Sequence, residues 1–181
     1  QRYPLTVNQS CDPDAVYLLI KALQAVVVEG TADSLKSILP QSLGVAGKTG
    51  TTDDLRDSWF AGFTGDRLAV VWVGRDDNRP IGLTGSSGAL QVWGNLFSKM
   101  YASPLNPTEP ENISWVVVDP RTGSRADKNC SGTVAIPFIE GSEPERMVAC
   151  DGFGRPEGAP VPVRNKKGKR PSFMDWVKGI F

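Results

Sequence analysis

One short string in this sequence combines residue types that can act together on an anion: Gly47-Lys48-Thr49-Gly50-Thr51-Thr52. Val45 to Thr52 reads as a strand, so Thr49 and Thr51 put their hydroxyls on one face. Two such hydroxyls can hydrogen-bond a carboxylate. Lys48 adds a positive charge, which in a cleft would stabilise the anion and lower the pKa of a neighbouring lysine. Gly50 omits a side chain where an extended peptide, adding to a strand edge, must come close. The backbone N–H of Thr51 can donate to an oxyanion, together with a second N–H from the nucleophile's own residue. Lys-Thr-Gly alone is a weak signal. Its weight comes from its place on a strand that is followed at once by a hairpin.

The elements that must position this string follow from periodicity. Asp12 offers a cap, Pro13 suits the first helical position and Asp14 favours the positive end of the dipole. Val16, Leu19, Ile20, Leu23, Val26 and Val27 recur at helical spacing up to Gly30, predicting a helix over about 13 to 29. Strands are expected at Ser58–Thr64 and Leu68–Gly74, joined by a tight Thr64-Gly65-Asp66 turn. The last of these is apolar on both faces, which predicts a central or doubly covered position. Gly85-Ser86-Ser87-Gly88 opens a second helix whose Leu90, Trp93, Leu96, Phe97 and Met100 share a face. The expected class is α+β, an antiparallel sheet with both helices on one face. Trp59, Phe60 and Trp72 read as core.

Domain boundaries are expected at 1–103 for this unit, 104–111 for a linker marked by Pro104, Pro107 and Pro110, and 112–150 for a small β appendage with strands Ile113–Asp119 and Val134–Ile139. Residues 151–181 hold seven Lys/Arg against three Asp/Glu and read as a flexible basic tail. Phe173, Trp176, Val177, Ile180 and Phe181 could line a short terminal helix, either packing on the chain or lying on a membrane surface.

Composition excludes several chemistries. There is no histidine. A Ser-His-Asp triad and any histidine metal site are therefore excluded, and a lysine is the natural base for acyl chemistry. Asp53, Asp54, Asp57, Asp76 and Asp77 lie in loops with no fixed ligand geometry, so they read as solvated turn acids and no metal is expected. The uninterrupted apolar run Leu68–Val73 falls far short of the roughly 20 residues of a membrane span. The sequence begins with Gln1 and not Met, as expected of a piece of a longer polypeptide. Cys130 and Cys150 bracket a β-rich segment. A bridge between them would close a loop of about 20 residues, contribute roughly 3 kcal/mol and imply an oxidising compartment, although two unpaired thiols fit the spacing as well. Cys11, beside a helix start, is expected to be buried or capped.

Ala46-Gly47-Lys48-Thr49-Gly50-Thr51-Thr52, with Asp57-Ser58-Trp59-Phe60-Ala61-Gly62 and Val71-Trp72-Val73-Gly74-Arg75-Asp76-Asp77-Asn78, resembles the class A penicillin-binding proteins, most of all the type 1B branch of Gram-negative bacteria. Lys48-Thr49-Gly50 is similar to the third signature of the serine acyl-transferases that react with penicillin. The resemblance covers about residues 1–103 and continues more loosely through Phe138–Pro144. It implies the C-terminal part of a penicillin-binding transpeptidase fold, within a cell-wall synthase that polymerises glycan strands and cross-links stem peptides. It implies that Lys48, Thr49, Gly50 and Thr51 bind the terminal D-alanine carboxylate or that of a β-lactam, that Lys48 and the Thr51 N–H serve catalysis, and that no cofactor or nucleic acid is needed. The implied partners are the upstream part of the same protein, peptidoglycan stem peptides and β-lactams. An outer-membrane lipoprotein activator acting on the upstream part and a dimer are admitted as well. The implied location is the periplasmic face of the inner membrane, anchored by an upstream transmembrane segment.

This chain departs from the pattern in one large respect. No lysine has a serine three residues before it, and no asparagine has one two residues before it. The nucleophile signatures Ser-x-x-Lys and Ser-x-Asn are therefore expected upstream, outside this sequence. Two other readings compete. A β-lactamase or D,D-carboxypeptidase of the same fold is disfavoured by about 80 residues beyond Met100, where such chains end soon after the final helix. A non-catalytic peptide- or penicillin-binding module would keep the fold without the chemistry.

Overall fold

The computed structural model describes residues 10–150. The segment 2–9, the expected basic tail and the terminal helix expected within it lie outside the described residues. Helix α1 spans Pro13–Glu29. Its start follows from side-chain chemistry: Asp12 accepts the N–H groups of Asp14 (2.8 Å) and Ala15 (3.2 Å), and Pro13 needs no donor there. At the far end the Gly30 N–H closes on the Val26 carbonyl. Strands β1 (Ala46–Thr51), β2 (Ser58–Phe63) and β3 (Leu68–Val73) form an antiparallel sheet in that order. Helix α2 spans Ala89–Phe97.

One core joins these elements. Val26 and Val27 of α1, Leu35 and Leu39 beyond it, Phe60 of β2 and Leu90, Trp93 and Phe97 of α2 belong to a single buried cluster. Phe60 meets Trp93 edge-on at 5.3 Å between ring centres, and Trp93 stacks on Phe97 at 3.7 Å. Such aromatic pairs contribute about 0.5–1.5 kcal/mol each beyond the area they bury. Two helical stripes are narrower than expected. Tyr17, Val26 and Val27 are the buried positions of α1, while Val16 and Leu19 are exposed. On α2 the spacing of Leu90, Trp93 and Phe97 faces the sheet, but Leu96 lies about 100° round the helix from its neighbour Phe97 and is exposed. Met100 falls beyond the helix end and is exposed too.

The sheet is covered on one face. Residues directly opposite in an antiparallel pair share a face, so Phe60 lies with Thr49 and Val71, whereas Trp59 lies with Gly50 and Trp72. Phe60 is fully buried, but Trp59 and Trp72 are 42% and 45% exposed, with Leu68 and Val70 exposed beside Trp72 on the same strand. The expectation that both tryptophans are core, and that β3 is central, does not hold among the described residues. Here β3 is an edge strand with one open face, and period-two alternation sends Trp59 and Trp72 to that side.

A second sheet has the order β6-β4-β5-β7, with β4 at Ile113–Val118, β5 at Arg125–Ala126, β6 at Val134–Ile139 and β7 at Met147–Val148. The two short strands β5 and β7 pair in parallel and left no sequence pattern. Its core is Val116, Val118 and Ile136. Cys130 and Cys150 are joined by a disulfide, which ties the chain end of this sheet to the loop before β6. Cys11 is exposed and not buried, because it precedes the helix cap, with the Ser10 hydroxyl 3.9 Å from its sulfur. No helix among the described residues is long and apolar enough to cross a membrane.

The connection between the sheets is fastened along its length. Leu105 donates its N–H to the Leu43 carbonyl (3.0 Å), and its own carbonyl accepts the Gln24 amide (3.1 Å). One carboxylate oxygen of Glu109 then accepts both the Tyr17 hydroxyl (2.7 Å) and the Trp115 indole N–H (2.8 Å). These two donors, Trp115 foremost, hold the Glu109 carboxyl below its usual range. Burial, followed by the Glu109 contact, pushes the Tyr17 phenol up to about 12. A raised phenol pKa means that this contact stabilises the fold fully below the unfolded value of 10.0 and is lost as pH rises through about 12. Absorbance titration of the tyrosines is therefore expected to show a phase near pH 12 that Tyr17→Phe removes. A Tyr17 that ionises with ordinary phenols would contradict the contact.

Candidate functional site

Among the described residues, strand β1 is paired on one side only. The direction of its backbone groups follows from the register. Thr52 donates its N–H to the Asp57 carbonyl, and this pair continues the β1–β2 register in which Gly50 faces Trp59, Lys48 faces Ala61 and Ala46 faces Phe63. Hydrogen-bonded pairs alternate along an antiparallel ladder. Ala46, Lys48 and Gly50 therefore bond to β2, while Gly47, Thr49 and Thr51 turn their N–H and C=O groups toward the open edge. Among the described residues the Thr51 N–H is thus an unpaired donor of the ladder at that edge. The Thr49 carbonyl there accepts the Lys48 ammonium at 2.8 Å. Among the described residues no carboxylate forms an ion pair with Lys48. The edge therefore carries an ammonium that no described anion neutralises.

Side chains alternate with equal regularity. Thr49 and Thr51 lie on the helix-covered face with Phe60 and Ser58, whereas Lys48 and Gly50 lie on the open face. Both hydroxyls already have a protein partner. Thr49 Oγ1 lies 2.6 Å from Thr31 Oγ1, and Thr51 Oγ1 accepts the Gly85 N–H at 2.8 Å. Gly50 makes room for its cross-strand neighbour. A Cβ there would lie 3.1 Å from Trp59 Cβ, on the sheet face and not at the edge. Gly47 is the tighter position, since a Cβ would come within 2.6 Å of the Phe60 ring and 2.8 Å of the Ala61 carbonyl.

The loop before α2 forms a wall beside this strand. Ser58, fully buried on β2, donates to the Thr84 carbonyl (2.7 Å) and accepts the Ala89 N–H (2.8 Å), so it caps α2 from the sheet. The loop is bound to itself through Thr84, Ser86 and Ser87 hydroxyls at 2.9 and 3.0 Å. Gln91 ties it to the turn after α1, donating to the Ser86 carbonyl (3.0 Å) and to Ser34 Oγ (3.2 Å). In the turn after β1, Leu55 sits at a φ of 56°, a strained value for a leucine. Its carbonyl accepts the N–H groups of Ile81 and Gly82, which hold it there. Thr31, Ser58 and Gly85 are the residues that sequence reasoning missed. The only trace of them was a helix stop followed by a polar residue and a Gly/Ser-rich turn.

Asp57 and Asp77 of the neighbouring loops have partners. Asp57 accepts the Trp72 indole (2.9 Å) and the Thr52 hydroxyl (3.0 Å), while Asp77 takes Arg75 through two bonds of 2.9 and 2.8 Å. That arginine is the chief reason the Asp77 carboxyl lies below its usual range. Cys130 lies in the loop before β6 and Cys150 follows β7, so neither is on β1.

Comparison with known proteins gives one consistent answer. The chain is 36% identical over 149 residues to penicillin-binding protein 1B of Escherichia coli strain K12, covering 81% of this chain and 17% of that protein. It is 41% identical over 130 residues to penicillin-binding protein 1A of Aquifex aeolicus, covering 69% of this chain and 17% of that protein. Among solved structures, penicillin-binding protein 1A from Haemophilus influenzae superposes with a TM-score of 0.64 at 26% identity, over 74% of this chain and 21% of that one. No family model matches the sequence. The chain spans about a fifth of the length of the relatives it matches.

Gly85 offers a direct check on the wall. A Cβ there would lie 2.6 Å from the Gly50 carbonyl oxygen and 2.9 Å from Thr49 Cβ. Backbone on both sides leaves no room to yield. Gly85→Ala is expected to push the loop off β1 and cost about 1–3 kcal/mol in thermal or urea unfolding. An unchanged midpoint would mean that the loop does not bear on the strand.

Proposed function

Because the chain belongs to the penicillin-binding proteins of types 1A and 1B, with the transpeptidase fold of that family, we propose that it supplies the substrate-carboxylate edge of a serine D,D-transpeptidase that cross-links peptidoglycan. The observation that carries this reading is the outward edge of β1. Two hydroxyls, the Lys48 ammonium and the outward Thr51 N–H stand on or beside it within the four residues 48–51.

An extended stem peptide adds to this edge as a further strand, through the N–H and C=O groups of Thr49 and Thr51. Its terminal D-alanine carboxylate accepts from the Thr49 and Thr51 hydroxyls, and Lys48 stabilises the charge. The bond to be broken then lies one residue back along the peptide. The Thr51 N–H donates to its carbonyl oxygen, which gains negative charge as a serine attacks. The serine and its lysine base come from the part of the protein upstream of this chain. A β-lactam carries a carboxylate at a similar distance from a strained carbonyl and is held by the same groups. In the intact protein the site faces the periplasm, where stem peptides are exposed to it.

The test uses the intact protein with fluorescent penicillin. Covalent labelling is expected, and Lys48→Ala is expected to slow acylation at least about tenfold while the fold survives, equivalent to about 1.4 kcal/mol of transition-state stabilisation. Labelling at an unchanged rate would remove Lys48 from the chemistry. No labelling of the unmutated protein would leave a non-catalytic module as the better reading.

A further inference from the structure

We infer that Thr31 is a positioning residue for the anion-binding hydroxyl of Thr49, working in parallel with the Gly85 N–H behind Thr51. The inference rests on the reading of β1 as a carboxylate-binding edge.

A hydroxyl has one proton and two lone pairs. The Gly85 N–H can only donate, so Thr51 Oγ1 accepts at 2.8 Å and keeps its own proton for another acceptor. The Thr31–Thr49 contact at 2.6 Å admits two proton placements. If Thr49 donates to Thr31, it has nothing left to give an anion. If Thr31 donates, the Thr49 proton is free to point outward, as that of Thr51 does. A bound carboxylate only accepts, so it selects the second placement. Each hydroxyl is then the middle of a chain of two donors that end on the anion, and such chains polarise and strengthen one another.

Thr31 is held in place well enough to do this. It lies between two residues whose N–H groups both close on the Val26 carbonyl, Gly30 at 3.1 Å and Ala32 at 3.2 Å. Ala32 is fully buried in the core, and its carbonyl accepts the Leu35 N–H at 3.1 Å. The Thr31 side chain is therefore exposed on a backbone that is anchored on both sides. The helix stop of α1 doubles as the support of a hydroxyl on β1.

Thr31→Val keeps the branched shape and removes the donor. Acylation of the intact protein would be followed with a free-acid penicillin and with its methyl ester, which lacks the anion. For the free acid, Thr31→Val is expected to weaken reversible capture about fivefold or more, with the rate at saturation nearly unchanged. The ester is expected to react equally with both proteins, Thr31→Ala to behave as Thr31→Val, and Thr31→Ser to recover the free-acid preference. Unaltered capture of the free acid by Thr31→Val, or equal losses for acid and ester, would overturn the role of Thr31 while leaving the carboxylate edge intact. An unmutated protein that reacts with neither compound would overturn the edge itself, and this role with it.

Discussion

The backbone alternation of one strand governs everything else in this molecule. Once β2 takes the N–H and C=O groups of Ala46, Lys48 and Gly50, those of Gly47, Thr49 and Thr51 are directed to the other side. An open edge of this kind is a liability in most proteins, because it templates pairing with any extended chain. Here the liability coincides with the polar side chains. The threonines that present unpaired backbone groups are the same residues whose hydroxyls stand beside the edge, and the lysine between Gly47 and Thr49 leans onto the Thr49 carbonyl. A strand shifted by one residue would send the hydroxyls to the open face and turn the other set of amides outward, so register and recognition are a single constraint.

The rest of the described fold keeps this strand still. Phe60 and Trp93 fill the space under it, which requires Gly47 to have no side chain. Ser58 ties β2, the loop at Thr84 and the start of α2 together through one buried hydroxyl. Leu55 is held in a left-handed conformation by the segment at Ile81 and Gly82, which costs on the order of 1–3 kcal/mol locally. Such a cost persists only where surrounding contacts enforce it, and here the enforced turn joins β1 to β2. The second sheet is coupled to the first through Glu109, which gathers a donor from α1 and a donor from β4 on one oxygen.

Much of this was legible in the residues, and the reasons for the failures are physical. Strands β1, β2, β3, β4 and β6 and helix α1 came through within a residue or two, because period-two and period-3.6 patterns persist over several turns and Asp12-Pro13 is a strong start signal. Strands β5 and β7 are two residues long, too short to hold a period. Trp59 and Trp72 were misplaced because hydrophobicity does not say which face of a sheet is covered. Leu68–Val73 reads as doubly buried, yet only its inner residues Ala69, Val71 and Val73 pack against the described core. At the site, the residue types of Lys48, Thr49 and Thr51 sufficed to suggest an anion. The contacts of Thr31 and Gly85 with β1 could not be found, since they act across 18 and 34 residues of sequence and no local pattern reports such a contact.

The central claim is that the outward edge of β1 receives an anion next to a reacting carbonyl. A crystal structure of the intact protein acylated by a penicillin tests it most directly. The account predicts the ligand carboxylate within about 3 Å of Thr49 Oγ1 and Thr51 Oγ1, and the acyl oxygen at a similar distance from the Thr51 N–H. A carboxylate bound elsewhere, or a β1 edge already closed by another strand of the protein, would contradict it.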